Sequence, residues 1–189
     1  MLALNKKIIL ASASPRRSFL LTEMGITHEV RKYEFKEDIT SEISPNLTSL
    51  FLAEEKARQI PSFANDELII TADTIVLTKN TVLGKPKNEM EAVSFLNLLS
   101  GSKHQVISGV ALNTKEKQVS FKVSSDVFFK PLSESEISYY IKNYQPYDKA
   151  GSYGIQEWIG MIGISKIEGS YFNIMGLPTV ELFEALSKF

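Results

Sequence analysis

The chain has 189 residues, 43% hydrophobic and 23% charged, and a formal net charge of −1. That length sustains one large domain or two small lobes, and the near-neutral balance argues against bulk electrostatic binding to nucleic acid or an anionic membrane. With no cysteine, and with only His28 and His104 as histidines, disulfides, thiolate metal sites, cysteine nucleophiles and a histidine-rich metal centre are excluded, so a metal would sit on oxygen ligands, as magnesium or manganese does.

At the N-terminus no long apolar stretch ends in a small-residue cleavage site, and the apolar runs elsewhere are too short to span a bilayer. The expectation is a cytoplasmic protein with no membrane partner. Ile8-Ile9-Leu10 reads as a buried strand. Ser14 has the chemistry of an N-cap, Pro15 suits the first helical position, and Arg17, Leu20, Leu21 and Met24 recur at helical spacing up to a left-handed stop at Gly25. A helix start attracts anions through its free N–H groups and dipole, and the forks of Arg16 and Arg17 suit phosphate oxygens. A solvated basic helix start would look the same.

Residues 28–35 read as a strand and 35–46 as a polar, acidic loop; residues 48–60 read as a helix. Residues 67–83 form a predicted hairpin that turns at Lys79-Asn80. Asn88 with Glu91 marks a helix start, and Gly101 its end. Two strands follow, 105–113 and 119–130. Ser133 with Glu136 opens a helix that runs to about Asn143. The glycine-rich segment 151–176 reads as turns and short strands, and Pro178 opens a last helix over 179–187. The element order is α/β or α+β with a mixed central sheet, in a single domain over 1–189.

Asp73 is the anomaly of the strand 67–77. A carboxylate in such a run is costly to bury unpaired, so it is paired structurally, binds a metal, or acts as a base. Lys85 stands between Gly84, which lets the backbone turn, and Pro86, which stiffens the exit and fixes the place of the ammonium; a solvated loop lysine is the alternative. Lys56 lies on the helix 48–60 and Glu37 in the acidic loop. Tyr147–Gln156 combines glycines, rings and an amide, which suits wrapping a small planar ligand, or a tight loop between core strands. His104 reads as a structural hydrogen-bonder.

Leu10-Ala-Ser-x-Ser-Pro-Arg-Arg17, Glu55-Lys56-Ala57, Ala72-Asp73-Thr74-Ile75-Val76 and Leu83-Gly84-Lys85-Pro86 occur in that order. They are followed by Asp148-Lys149-Ala150-Gly151-x-Tyr153-Gly154-Ile155-Gln156, Ile167–Asn173 and Gly176-Leu177-Pro178. This ordered set resembles the Maf family of nucleoside triphosphate pyrophosphatases from end to end. The resemblance implies an elongated mixed sheet flanked by helices, inosine triphosphatase-like, in two lobes with a central cleft, and a homodimer. It implies hydrolysis of a nucleoside triphosphate to monophosphate and pyrophosphate with a divalent cation, Mg2+ or Mn2+. By motif, Asp73 is the catalytic proton acceptor and a metal ligand. Ser12, Arg16, Arg17, Lys56 and Lys85 are the substrate and phosphate set. Glu37 joins the metal set by its distance from Lys56, in surroundings that depart from the family's usual Asp-Glu pair. Arg16, Thr74 and Gln156 match the branch acting on dTTP and UTP. A house-cleaning hydrolase of modified pyrimidine or 7-methylguanosine triphosphates, a non-catalytic regulator of septum formation or cell division, and a nucleic-acid binder using the Arg16-Arg17 helix are the rivals.

Overall fold

The computed structural model describes residues 5–36 and 43–189. Among these residues, seven strands form one mixed sheet in the order β2-β1-β3-β5-β6-β7, with β4 paired to β3. The strands are β1 (Lys7–Leu10), β2 (His28–Val30), β3 (Glu67–Thr78), β4 (Thr81–Leu83), β5 (Lys103–Asn113), β6 (Gln118–Phe129) and β7 (Ile164–Glu168). Helices α1 (Pro15–Glu23), α2 (Thr48–Arg58), α3 (Glu89–Leu99), α4 (Glu134–Tyr144), α5 (Trp158–Gly163), α6 (Tyr171–Met175) and α7 (Thr179–Leu186) flank it. The expected α/β class with a mixed sheet is what the chain adopts. Among the described residues, no helix is long and apolar enough to cross a membrane.

The chain divides into two compact units. The first gathers the described residues up to Thr74 with Ser108–Val123 and Gly176–Phe189; the second holds Ile75–Ile107 and Ser124–Met175. In the first, β1 pairs parallel with both β2 and β3. Its Ile8-Ile9-Leu10 run is buried on both faces, as parallel strands are. Ile9 and Ala11 pack with Ile60 and Ile69, and the Thr71 hydroxyl satisfies the Ala53 carbonyl of α2 at 2.7 Å. The strand expected over 28–35 is only His28–Val30.

In the second unit, β3 turns antiparallel into β4. Lys79 and Asn80 both take positive φ, 46° and 64°, the geometry of a two-residue hairpin turn. The Asn88 side chain caps α3 by accepting the Glu91 N–H at 2.9 Å, and Ser133 and Glu136 form a full capping box on α4, of the order of 1 kcal/mol per cap. Leu96, Leu99, Val127, Tyr140, Ile155 and Ile159 are central to this unit's core. The segment read as turns and short strands contains β7, but also α5 and α6. Helices of six and five residues, the first with an internal glycine, carry little periodicity, and packing of Ile159 and Ile174 into the core overrides their weak propensity.

His104 lies 2% exposed in β5, stacked on Phe129 with ring centroids 5.6 Å apart and hydrogen-bonded through Nε2 to the Tyr153 hydroxyl at 2.7 Å. That is the structural role expected for it. Burial pushes its pKa down from 6.5 to about 4, because the imidazolium loses its water. The unfolded chain therefore takes up this proton first. The stability due to neutral His104 is complete above pH 6.5 and drains away as pH falls from there towards about 4, at roughly 1 kcal/mol per pH unit. The wild type should lose melting temperature between about pH 6.5 and pH 5, and His104→Gln should lose distinctly less over that interval. Parallel melting curves for the two proteins would contradict this.

Candidate active site

The β1–α1 loop shapes the first part of the site. Pro15 occupies the first helical position and Ser14 the N-cap, but the Ser14 side chain makes no capping bond. The loop is tied instead by the buried Ser12, whose hydroxyl accepts from the Ser14 N–H at 3.2 Å. One turn on, Arg17 reaches into the fold. Its Nε donates to the Gly176 carbonyl at 2.9 Å. Its Nη1 donates to the Ala72 carbonyl at 2.8 Å and the Ser12 hydroxyl at 3.2 Å, and its Nη2 to Thr74 Oγ1 at 3.1 Å. A guanidinium is suited to such a fork because its donors are planar and always charged. Arg16, its neighbour, is half-buried.

Thr74 Oγ1 also meets the buried Ser108 hydroxyl of β5 at 2.8 Å. Gly176 is buried with φ near +120°, a conformation that a side chain rarely adopts, and its carbonyl is turned to Arg17. Sequence reading assigned neither Ser108 nor Gly176 a role. Gly176-Leu177-Pro178 was visible as a motif, whereas nothing in the local sequence distinguishes Ser108 from a core serine.

Asp73, beside Thr74 in β3, turns to a different partner. Lys56 Nζ of α2 lies 2.5 Å from Asp73 Oδ1, with the two side chains 11% and 15% exposed. The open question of a paired, metal-binding or basic carboxylate thus receives one definite element, a lysine partner. Shielded to this degree, each charge needs the other: removing one partner of a buried pair costs about 3–5 kcal/mol, and less where water still reaches it. Ser12, Arg17, Lys56, Asp73 and Thr74 all belong to the first unit and are linked through Ala72–Thr74. Glu37 lies outside the described residues.

Lys85 and Gln156 belong to the second unit. Lys85 is exposed between Gly84 and the buried Pro86, and the Gly84 carbonyl accepts the Gly151 N–H at 3.0 Å, which fixes the loop to the 147–156 segment. Gln156 is half-buried and lines a cavity of about 300 Å3 with Ile155, Met161, Ile164, Ile167 and Tyr171. Apolar walls with one amide give a surface able to orient a small planar group.

A divalent cation was expected on Asp73 and Glu37. Among the described residues no cluster of three or more His, Asp or Glu side chains is assembled. The donor set that is described, the Asp73 carboxylate, still fits a hard cation in the way magnesium is commonly held, by one or two carboxylates with substrate phosphates completing the shell.

The family described as Maf-like protein matches residues 7–189. A protein of Parabacteroides distasonis named dTTP/UTP pyrophosphatase is 50% identical over 185 residues, covering 97% of this chain and 96% of its own length. A protein of the same name from Phocaeicola vulgatus is 51% identical over 184 residues, covering 96% of this chain and 95% of its own. Among solved structures, a HAM1 protein from Coxiella burnetii is 15% identical with a TM-score of 0.49, covering 97% of this chain and all of that one. With a family match over nearly its whole length and two relatives at half identity, the chain belongs to the Maf-like proteins.

Proposed function

We propose that the chain is a nucleotide pyrophosphatase that hydrolyses dTTP and UTP to the nucleoside monophosphate and pyrophosphate by water attack at the α-phosphorus. The observation that carries this reading is the Asp73 carboxylate set in a buried strand against the Lys56 ammonium, in a chain half identical to proteins that bear the name of that activity. No observation favours a 7-methyl-GTP enzyme or a non-catalytic regulator.

Asp73 orients the attacking water and accepts its proton. Lys56 faces the same carboxylate and offers its ammonium to the negative charge that gathers as the reaction proceeds. Arg16 and Lys85 hold the phosphates. Arg17 and Ser12 frame the β1–α1 loop, because four Arg17 donor contacts go to the protein itself. Thr74 is held by Arg17 and Ser108 as a shape-determining neighbour of the catalytic carboxylate. The Gln156 amide reads the base, pairing its donor and acceptor with a carbonyl and ring N–H of uracil or thymine.

Asp73 would be a ligand of a magnesium or manganese ion, with Glu37 a second by its distance from Lys56. When bound, that ion would neutralise phosphate charge and favour departure of pyrophosphate. The reading also includes a second copy of the chain as partner, which motif resemblance supports, and no nucleic-acid ligand, which the near-neutral charge supports; a cytoplasmic setting goes with apolar runs too short to span a bilayer. The test is pyrophosphate release from UTP, dTTP, CTP, GTP and 7-methyl-GTP with either metal. The expected result is turnover of UTP and dTTP above the rest. Preferential turnover of 7-methyl-GTP, or none of any nucleotide, would contradict it.

A further inference from the structure

Gln156 is the third residue of a four-residue turn, 154–157, closed by the Glu157 N–H donating to the Gly154 carbonyl at 3.0 Å. Both ends of this turn are held by one network. The Gly154 N–H donates to the Tyr140 hydroxyl at 3.0 Å, and that hydroxyl donates to Glu157 Oε2. Glu157 Oε1 faces Lys149 Nζ at 3.0 Å, and the same ammonium meets Asp148 Oδ1 at 2.6 Å. Tyr140 is fully buried in α4, and Lys149 is 8% exposed.

The packing around the turn is tight: a Cβ placed on Gly154 would stand 2.8 Å from Glu157 Cδ. Burial, together with the bond to Glu157, pushes the Tyr140 phenol well above its ordinary value, so it remains a neutral donor at working pH. Stability alone does not call for this arrangement. A buried chain of lysine, glutamate and tyrosine pays heavily in desolvation, and apolar side chains of similar volume commonly serve as well or better. What such a chain supplies is a fixed geometry. None of its members has a part in the chemistry described above, yet they bracket the one side chain assigned to the base.

We infer that Tyr140, Glu157 and Lys149 are positioning residues that hold the Gln156 turn in a single geometry and so set the choice between pyrimidine bases. The inference rests on the proposed function, in which Gln156 reads the base. Its physical basis is the asymmetry of an amide. Uracil and thymine present a carbonyl and a ring N–H where cytosine presents an amino group and a bare ring nitrogen. An amide free to shift or flip accepts both patterns, whereas one held in place accepts only the first.

Tyr140→Phe keeps the ring and its packing and removes only the hydroxyl. It is to be compared with wild type in kcat and KM for UTP and CTP, and in the side-chain amide NMR signal of Gln156, assigned by its disappearance in Gln156→Ala. The ratio of kcat/KM for UTP over CTP should fall about tenfold, the weight of one lost hydrogen bond, through a raised KM for UTP with kcat within about twofold of wild type. The Gln156 signal should shift or broaden. Glu157→Gln keeps an oxygen for the Tyr140 hydroxyl and should retain most of the selectivity, a rescue that a general loss of stability would not show. A folded Tyr140→Phe protein with an unchanged ratio and an unmoved Gln156 signal would overturn the inference. Should that variant fail to fold, Glu157→Ala reads the same ratio and signal from the edge of the turn. A wild-type protein inert towards UTP and dTTP would overturn the proposed function instead, and the Gln156 signal in Tyr140→Phe would still decide whether the network positions the amide.

Discussion

Asp73→Asn is expected to lower pyrophosphate release from UTP by about a thousandfold, within the span of roughly a hundred to ten thousand that a positioned general base contributes. The substitution preserves volume and leaves an oxygen for Lys56, which lies 2.5 Å from Asp73 Oδ1. It removes both the charge and the ability to accept a proton at that point. Because the pair is only slightly exposed, the loss of one charge also leaves Lys56 less well compensated, and a modest drop in melting temperature should accompany the loss of activity. The measurement needs both readouts on one preparation, circular dichroism to show that the fold persists and steady-state rates to show that turnover does not. A folded Asp73→Asn protein with near-normal turnover would remove Asp73 from the mechanism.

The second large effect is expected at Arg17, and it should appear first in stability. Arg17→Met leaves the buried Ala72 and Gly176 carbonyls without this donor and takes from Thr74 and Ser12 their bonds to the guanidinium. An abandoned buried acceptor costs about 1–3 kcal/mol, and the Gly176 carbonyl keeps the Thr74 hydroxyl at 3.3 Å as a second donor, so the loss is on the order of 2–3 kcal/mol. For a protein of this size that is a fall of roughly five to ten degrees in melting temperature. Arg17→Lys should recover only part of it, since an ammonium is a point donor and cannot reproduce a planar fork. Arg16→Met, in the phosphate-holding role, should instead show mainly as a raised KM for the nucleotide. Melting and steady-state kinetics on the three variants distinguish the neighbours. An Arg17→Met protein that melts with wild type would show that the fork is dispensable.

Local signals made much of the fold legible in the sequence. The Lys79-Asn80 turn, the Asn88 cap on α3, the Ser133 and Glu136 capping box and the Gly25 stop each act within a few residues, and each stands where the pattern put it. The apolar run before Ala11 is a buried strand for the same reason. What escaped reading depends on distant partners. Arg17 and the Gly176 carbonyl are 159 positions apart, and Thr74 and Ser108 are 34 apart. No spacing rule connects them, so the bonds from Arg17 to the Gly176 and Ala72 carbonyls appear only in the fold. Ser14 stands at the expected N-cap position, but its side chain makes no capping bond, and the Ser12 hydroxyl, two residues earlier, ties the loop. Helices α5 and α6 were missed because shortness, and in α5 also glycine, erases helical periodicity, and the burial of Ile159 and Ile174 that stabilises them is a tertiary fact. Asp73 was conspicuous as a carboxylate in an apolar run, but its partner on α2 appears only in the fold.

Hydrolysis of UTP in water enriched in heavy oxygen tests the central claim most directly, because it reports which phosphorus the water attacks. With the products separated and weighed by mass spectrometry, the heavy oxygen should appear in UMP, and the pyrophosphate should carry none. Label in pyrophosphate, or release of labelled inorganic phosphate in place of pyrophosphate, would contradict attack at the α-phosphorus and the roles assigned to Asp73, Lys56, Arg16 and Lys85.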